Sequence, residues 1–313
     1  MKYLRTAVVM VICLCAAKVD AAQPASPEPI PGIGPSGPIT RLHSDFKFTE
    51  GPAADAQGNL YFTDVPAGLI LKSDAMGKLT TFLEDSRGCN GLMVDGQGRL
   101  LACQGGEGRV IAIDVATKEV APRADKHNGK RFIQPNDLVV DRGGGVYFTD
   151  PVIGRGDRPQ DRQAVYYAAP DGTATRLIDD LLYPNGVILS PDEKTLYVVP
   201  SGSVDVMAYA IEAPGKIGPG RVLAALQQTT ATFPKGGDGL TIDTKGNLYV
   251  TVPAASSIQV ITYEGKTLGM IPIPEQPSNC TFGGPDRKTL FVTARKSVYS
   301  MPMEATGHSV AAK

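Results

Sequence analysis

The chain has 313 residues, of which 42% are hydrophobic and 20% charged, the composition of a folded protein rather than a disordered one. Thirty-one basic residues against 32 acidic ones leave a formal charge of −1, without the basic excess that nucleic-acid binding requires. Thirty-five Gly and 25 Pro disfavour long helices and favour short strands joined by turns, and His43, His127 and His308 are too few and scattered for a His-rich zinc site.

At the N-terminus, Lys2 and Arg5 precede an apolar run over residues 7–17 and then Val19-Asp20-Ala21. That order reads as a secretory signal peptide over residues 1–21, with an uncleaved anchor as the alternative. The run falls short of the ~20 residues a spanning helix needs. The expectation is an exported protein, periplasmic or secreted, with no membrane attachment after cleavage. Residues 22–38, rich in Pro and Gly, read as a linker. The GIGPSG stretch within it lacks the preceding strand and following helix of a dinucleotide fingerprint. In an oxidising compartment three remaining cysteines, Cys89, Cys103 and Cys280, are too sparse for a disulfide framework. They read as buried thiols, with a Cys89–Cys103 bridge between neighbouring strands as the alternative.

From residue 39 a pattern recurs six times: DAQGNLYFTD (55–64), DGQGRLLACQ (95–104), DRGGGVYFTD (141–150), PDEKTLYVVP (191–200), DTKGNLYVTV (243–252) and PDRKTLFVTA (285–294). Aligned on Tyr61, Leu101, Tyr147, Tyr197, Tyr249 and Phe291, the copies lie 40, 46, 50, 52 and 42 residues apart. Short β-rich copies at that period predict an all-β, six-bladed β-propeller with a central channel. Asp-x-x-Gly joins antiparallel strands, because Asp caps its own turn and Gly accepts positive φ. The propeller is assigned to residues 39–303, closed by residues 39–42 pairing beside residues 297–303. Residues 304–313 read as a loose tail.

Each copy is led by a polar residue and a short apolar strand: Glu50, Asn90, Asn136, Asn185, Asp238 and Asn279. The innermost strand of a blade lines the channel, so one repeated position predicts a ring of oxygen donors at one channel mouth. Two carboxylates among amides, with no imidazole or sulfur, suit a hard divalent cation bound at ~2.4 Å.

With their neighbours, Glu50-Gly51-Pro52, Asn90-Gly91, Pro135-Asn136-Asp137, Pro184-Asn185-Gly186, Asp238-Gly239 and Asn279-Cys280 resemble the gluconolactonase family, also described as senescence-marker protein (regucalcin) or luciferin-regenerating-enzyme-like. The resemblance spans roughly residues 39–303. It implies a hydrolase that opens sugar lactones or related cyclic esters, with one divalent cation, Ca²⁺ first and Mn²⁺ or Zn²⁺ as alternatives. It further implies Glu50, Asn185 and Asp238 as metal ligands and Asn136 as a fourth ligand or a substrate contact. Asn90 and Asn279 would be channel residues facing substrate. Asp238 is the expected general base, with Glu50 as the alternative. Departures from the family pattern put the sugar in question: Gln134 stands where Arg is frequent, and Gly237 where Pro is frequent.

Loops should set substrate choice. The segment PVIGRGDRPQDR (151–162) reads as a flap at the mouth, where Arg155 or Arg158 could meet an anionic substrate, or as a solvated mixed-charge loop. Lys235 lies three residues before Asp238 and is a further candidate for substrate contact. The partner is thus a small-molecule lactone, and oligomeric state is open. The competing reading is a non-enzymatic, metal-stabilised propeller that binds a peptide or glycan. A quinone-dependent dehydrogenase wants a His near its cofactor, and no leader is His.

Overall fold

A computed structural model describes residues 27–154, 156–228 and 235–309. The segment read as a signal peptide and Arg155 lie outside them. Among the described residues no helix is long and apolar enough to cross a membrane. Six four-stranded antiparallel sheets follow one another in chain order. Their innermost strands are Thr49–Ala54, Cys89–Val94, Leu138–Val140, Pro184–Leu189, Leu240–Ile242 and Pro277–Gly283. These strands neighbour one another around a ring, which makes the six sheets the blades of a β-propeller. Thr40–His43 pairs antiparallel with Ser297–Pro302, so the first strand of the chain completes the sixth blade. Blade six thereby gains the same four strands as the other five, joined across the two ends of the chain.

The recurring turn explains the recurring sequence. Asp55 Oδ1 accepts the Gln57 and Asn59 N–H groups at 3.0 and 2.8 Å, and Asp243 Oδ1 accepts those of Lys245 and Asn247, both at 2.9 Å. The glycines of these turns, Gly58 and Gly246, both sit at φ +83°. The aromatic residue that follows is buried between blades: Tyr61, Tyr147 and Tyr249 are among the largest fully buried side chains. Tyr249 keeps its hydroxyl satisfied 3.2 Å from Asp243 Oδ2.

Cys89, Cys103 and Cys280 are unbridged and buried in the apolar packing between blades. Burial raises all three thiols, Cys89 to about 12. The segments expected as a linker and a loose tail are docked instead, as far as they are described. Ile33 is buried with Met303 and Ala305, and its carbonyl accepts the Glu304 and Ala305 N–H groups at 3.1 and 3.2 Å. Beyond these, Arg287 donates to the Gly307 and His308 carbonyls, and the His308 N–H donates to Ile242 O. This lays the tail across the end of the channel remote from the polar ring. Between tail and ring lies a cavity of about 80 Å³, lined by all six innermost strands.

Candidate functional site

The leaders reach the channel because the strand carrying them is irregular at that point. Pairing with the second strand slips between Glu50 and Ala53, between Cys89 and Leu92, and between Pro184 and Val187. Such bulges re-aim a side chain without ending the sheet. In blades one and three the last residue of YFTD fixes the approach. Asp64 accepts the Lys47 and Phe48 N–H groups at 2.9 and 3.1 Å, and Asp150 accepts those of Ile133 and Gln134 at 2.9 and 2.6 Å. Each clamp ends two residues before a leader, Glu50 or Asn136. Burial raises the Asp150 carboxyl to about 7, against the pull of those two N–H groups.

Five leaders share one level: Glu50, Asn90, Asn136, Asn185 and Asp238. The sixth does not follow the expected register. Thr281 lies opposite Phe291 as Val139 lies opposite Tyr147, so three residues back from each stand Ser278 and Asn136. Backbone bonds between blades agree: Gly91 N–H donates to Asn136 O, Gly186 N–H to Asp238 O and Gly239 N–H to Ser278 O. Ser278 therefore holds the leader position of blade six, and its hydroxyl is turned into the wall, donating to Thr49 O at 2.7 Å. Asn279 sits one residue further on, level with Asp137.

At this second level four blades carry glycine and two carry Asp137 and Asn279. The glycines make the room. A Cβ on Gly239 would fall on the Asn279 side chain, and one on Gly91 would lie 2.6 Å from Asp137 Oδ1. Asn279 Nδ2 approaches Asp137 Oδ2 at 3.3 Å, and its amide also hydrogen-bonds the Glu50 carboxylate.

Three carboxyl groups, buried Glu50 and Asp137 and half-buried Asp238, thus act on one another. Burial, then the charges of Asp238 and Asp137, raise Glu50 far above the ordinary carboxylate range, against the pull of the Gly51 N–H and the Asn279 amide. Burial and then Asp137 raise Asp238 to about 7, while the Asn185 amide and the charge of Arg295 oppose the shift. Burial raises Asp137 to about 7, opposed by the Leu138 N–H and by Asn279. Asn185 Nδ2 also donates to Ser201 Oγ at 3.0 Å, and Ser201 in turn donates to Gly237 O at 2.9 Å. Among the described residues no three of His, Cys, Asp and Glu come together closely enough to hold a metal ion by themselves.

The remaining expected residues divide. Asn90 is half-buried at the ring. Lys235 is exposed, and its backbone N–H donates to Ser201 O at 3.1 Å, which seats that loop beside Asn185. Arg155 cannot be assigned a contact, since it lies outside the described residues. Elsewhere the flap spends its acids on neighbours: Asp157 pairs with Arg131 at 3.2 Å and Asp161 with Arg176 at 2.6 Å. Sequence reasoning missed Asp137, although it stands in the Pro135-Asn136-Asp137 motif. It also missed Arg295 and Ser201, whose positions emerge only when second-strand ends meet the leaders of other segments.

Six antiparallel blades around a channel with acids and amides at one end define a β-propeller with a buried polar centre. The family described as SMP-30/Gluconolactonase/LRE-like region matches residues 48–296. The chain is 32% identical over 302 residues to a gluconolactonase of Zymomonas mobilis subsp. mobilis, covering 87% of this chain and 83% of that one. It is 30% identical over 238 residues to the lactonase drp35 of Staphylococcus haemolyticus, covering 72% and 69%. A solved gluconolactonase structure from Xanthomonas campestris superposes with a TM-score of 0.77 at 31% identity, covering 85% of this chain and 89% of that one. The chain belongs to the SMP-30/gluconolactonase/LRE-like family.

Proposed function

We propose that this protein hydrolyses lactones or related cyclic esters at the channel mouth, with a divalent cation as cofactor. The observation that carries this reading is the convergence of buried Glu50 and half-buried Asp238 among carboxamides, Glu50 raised by burial and by Asp238, and Asp238 by burial and by Asp137. Relatives named gluconolactonase and lactonase support it. The donor set fits a hard cation: two carboxylates balance one divalent charge, and Asn136 and Asn185 offer neutral oxygens. A set that draws half its donors from amides also accounts for the lack, among the described residues, of a three-member acidic or His/Cys cluster.

Glu50, Asn185 and Asp238 would hold the ion, with Asn136 as fourth ligand or substrate contact. Once bound, such an ion supplies Lewis acidity toward a carbonyl oxygen and a template for orientation. Asp238 accepts a proton from the attacking water as that water's oxygen bonds to the lactone carbonyl carbon. The ring C–O bond then breaks, and the proton passes to the departing alkoxide, leaving a hydroxy acid. Burial and Asp137 hold the Asp238 carboxyl near 7 in the metal-free protein, and a bound cation would draw it down, leaving the carboxylate ionised and able to accept that proton. Glu50 is the alternative base. Asn90 and Asn279 line the path of the substrate, and Asn279 keeps Glu50 and Asp137 apart by donating to both. Lys235 extends the reading to the rim, and Arg155 stays a proposed substrate contact on its sequence alone. Export to the periplasm or beyond, on the signal-like residues 1–21, belongs to the same proposal.

The test is acid release from glucono-δ-lactone, dihydrocoumarin and simple δ-lactones by chelator-treated protein, before and after adding Ca²⁺, Mn²⁺ or Zn²⁺. Metal-restored hydrolysis is expected. Bound metal without turnover of any lactone would point to the non-enzymatic binding propeller.

A further inference from the structure

Beside the ring lies a second hollow of about 250 Å³, bordered by Pro151, Ile153, Tyr183, Pro184, Asn185 and Ser201. It opens directly from the candidate centre, because Asn185 belongs to both. Its walls are mostly hydrocarbon, and among the described residues no charged side chain borders it. Ile153, on its border, is 46% exposed. A large apolar side chain left in water at a mostly hydrocarbon hollow is the mark of a place kept for an apolar ligand group.

The polar atoms there are already engaged. Asn185 spends its amide hydrogens on Ser201 Oγ and the Asp238 carboxylate, and Ser201 gives its hydrogen to Gly237 O. A polyhydroxylated ring placed in this hollow would lose water from its hydroxyls and find few donors to replace it, which is costly. An alkyl or aryl group would lose nothing and would cover exposed hydrocarbon.

We propose that this hollow receives the apolar arm of the substrate, so that the preferred substrates are lactones bearing an alkyl or aryl substituent rather than polyhydroxylated sugar lactones. This rests on the lactone-hydrolase reading above and narrows its substrate class. Ile153 is its specificity-determining residue.

The experiment compares kcat/KM for δ-valerolactone, δ-hexalactone, δ-octalactone, δ-decalactone and glucono-δ-lactone, using the full metal-supplemented protein and its Ile153→Asn variant. With the unaltered protein, kcat/KM should rise about four-fold per added methylene until the arm fills the hollow, as expected from ~0.8 kcal/mol per buried CH₂. δ-Decalactone should exceed glucono-δ-lactone by at least ten-fold. Ile153→Asn should flatten the rise. A flat series, a preference for glucono-δ-lactone, or an unchanged slope in the variant overturns the substrate assignment and leaves lactone hydrolysis standing. Failure to open any of the five lactones overturns both.

Discussion

The two levels of the channel mouth make an instructive contrast. At the leader level five of six blades supply an oxygen-bearing side chain, and the sixth turns its Ser278 hydroxyl into the wall. One residue deeper the proportions reverse: four blades supply glycine, and two supply Asp137 and Asn279. Asp238 and Asp137 have the same side chain and the same raised pKa of about 7, chiefly through burial. Their partners differ. Asp238 is met by Asn185 and feels Arg295, next to the open hollow, while Asp137 is met by Asn279 and its own strand. Chemistry is expected at the first level and electrostatic support at the second.

The contrast breaks most sharply on Asp238→Asn. This variant should keep the fold, judged by an unchanged circular dichroism spectrum, and lose 10²- to 10⁴-fold in kcat, the range for a missing general base. Equal activity in the variant and the parent would remove Asp238 from the reaction. Next comes Glu50→Gln, which should weaken metal affinity by roughly 10- to 100-fold in a calorimetric titration. Unaltered affinity would move the ligand set elsewhere.

Gly239→Ala asks whether the emptiness of the second level matters. The new Cβ falls on Asn279, so a cost of about 1–3 kcal/mol and a lower melting temperature are expected. Gly156→Ala, which meets nothing within 4 Å at ordinary φ, should be silent and serves as the control. Matching melting temperatures for the two variants would show that the glycine is not needed for room.

The smallest effect concerns pH. Asp137 titrates near 7 when folded and near its ordinary value of 3.8 when unfolded, so between those values the unfolded chain binds fewer protons. Stability of metal-free protein should therefore fall as pH rises from about 4 through 7, and Asp137→Asn should make that fall shallower. Denaturant titrations at pH 4.5 and 7.5 would read this out, and parallel losses in both proteins would exonerate Asp137.

Much of this was legible in the sequence for a physical reason. Asp55, Asp95, Asp141 and Asp243 each cap a turn whose geometry permits few residue types, so the repeat survives wide divergence elsewhere. The leaders before those turns followed at fixed distance in the regular blades. Blade six broke the count because its first hairpin is one residue longer: Thr281 faces Phe291, whereas Ile188 faces Tyr197. Ser278 and Asn279 are both small and polar, so composition could not reveal the slip. The docking of residues 27–38 was hidden because Ile33 is an isolated apolar residue among Pro and Gly, with no periodicity to announce burial, whereas Met303 and Ala305 continue the alternation of Tyr299 and Met301, a legible sign that the chain stays packed past residue 303.

The seam in blade six bears on how the protein is made. Thr40–His43 leaves the ribosome early and finds its partner, Ser297–Pro302, only when almost the whole chain exists. Until then five blades must persist as an unclosed arc with a bare edge at each end. Chain cleavage that detaches the first strand should thus unlatch the whole circle, while a nick in a blade-to-blade loop should leave it clasped.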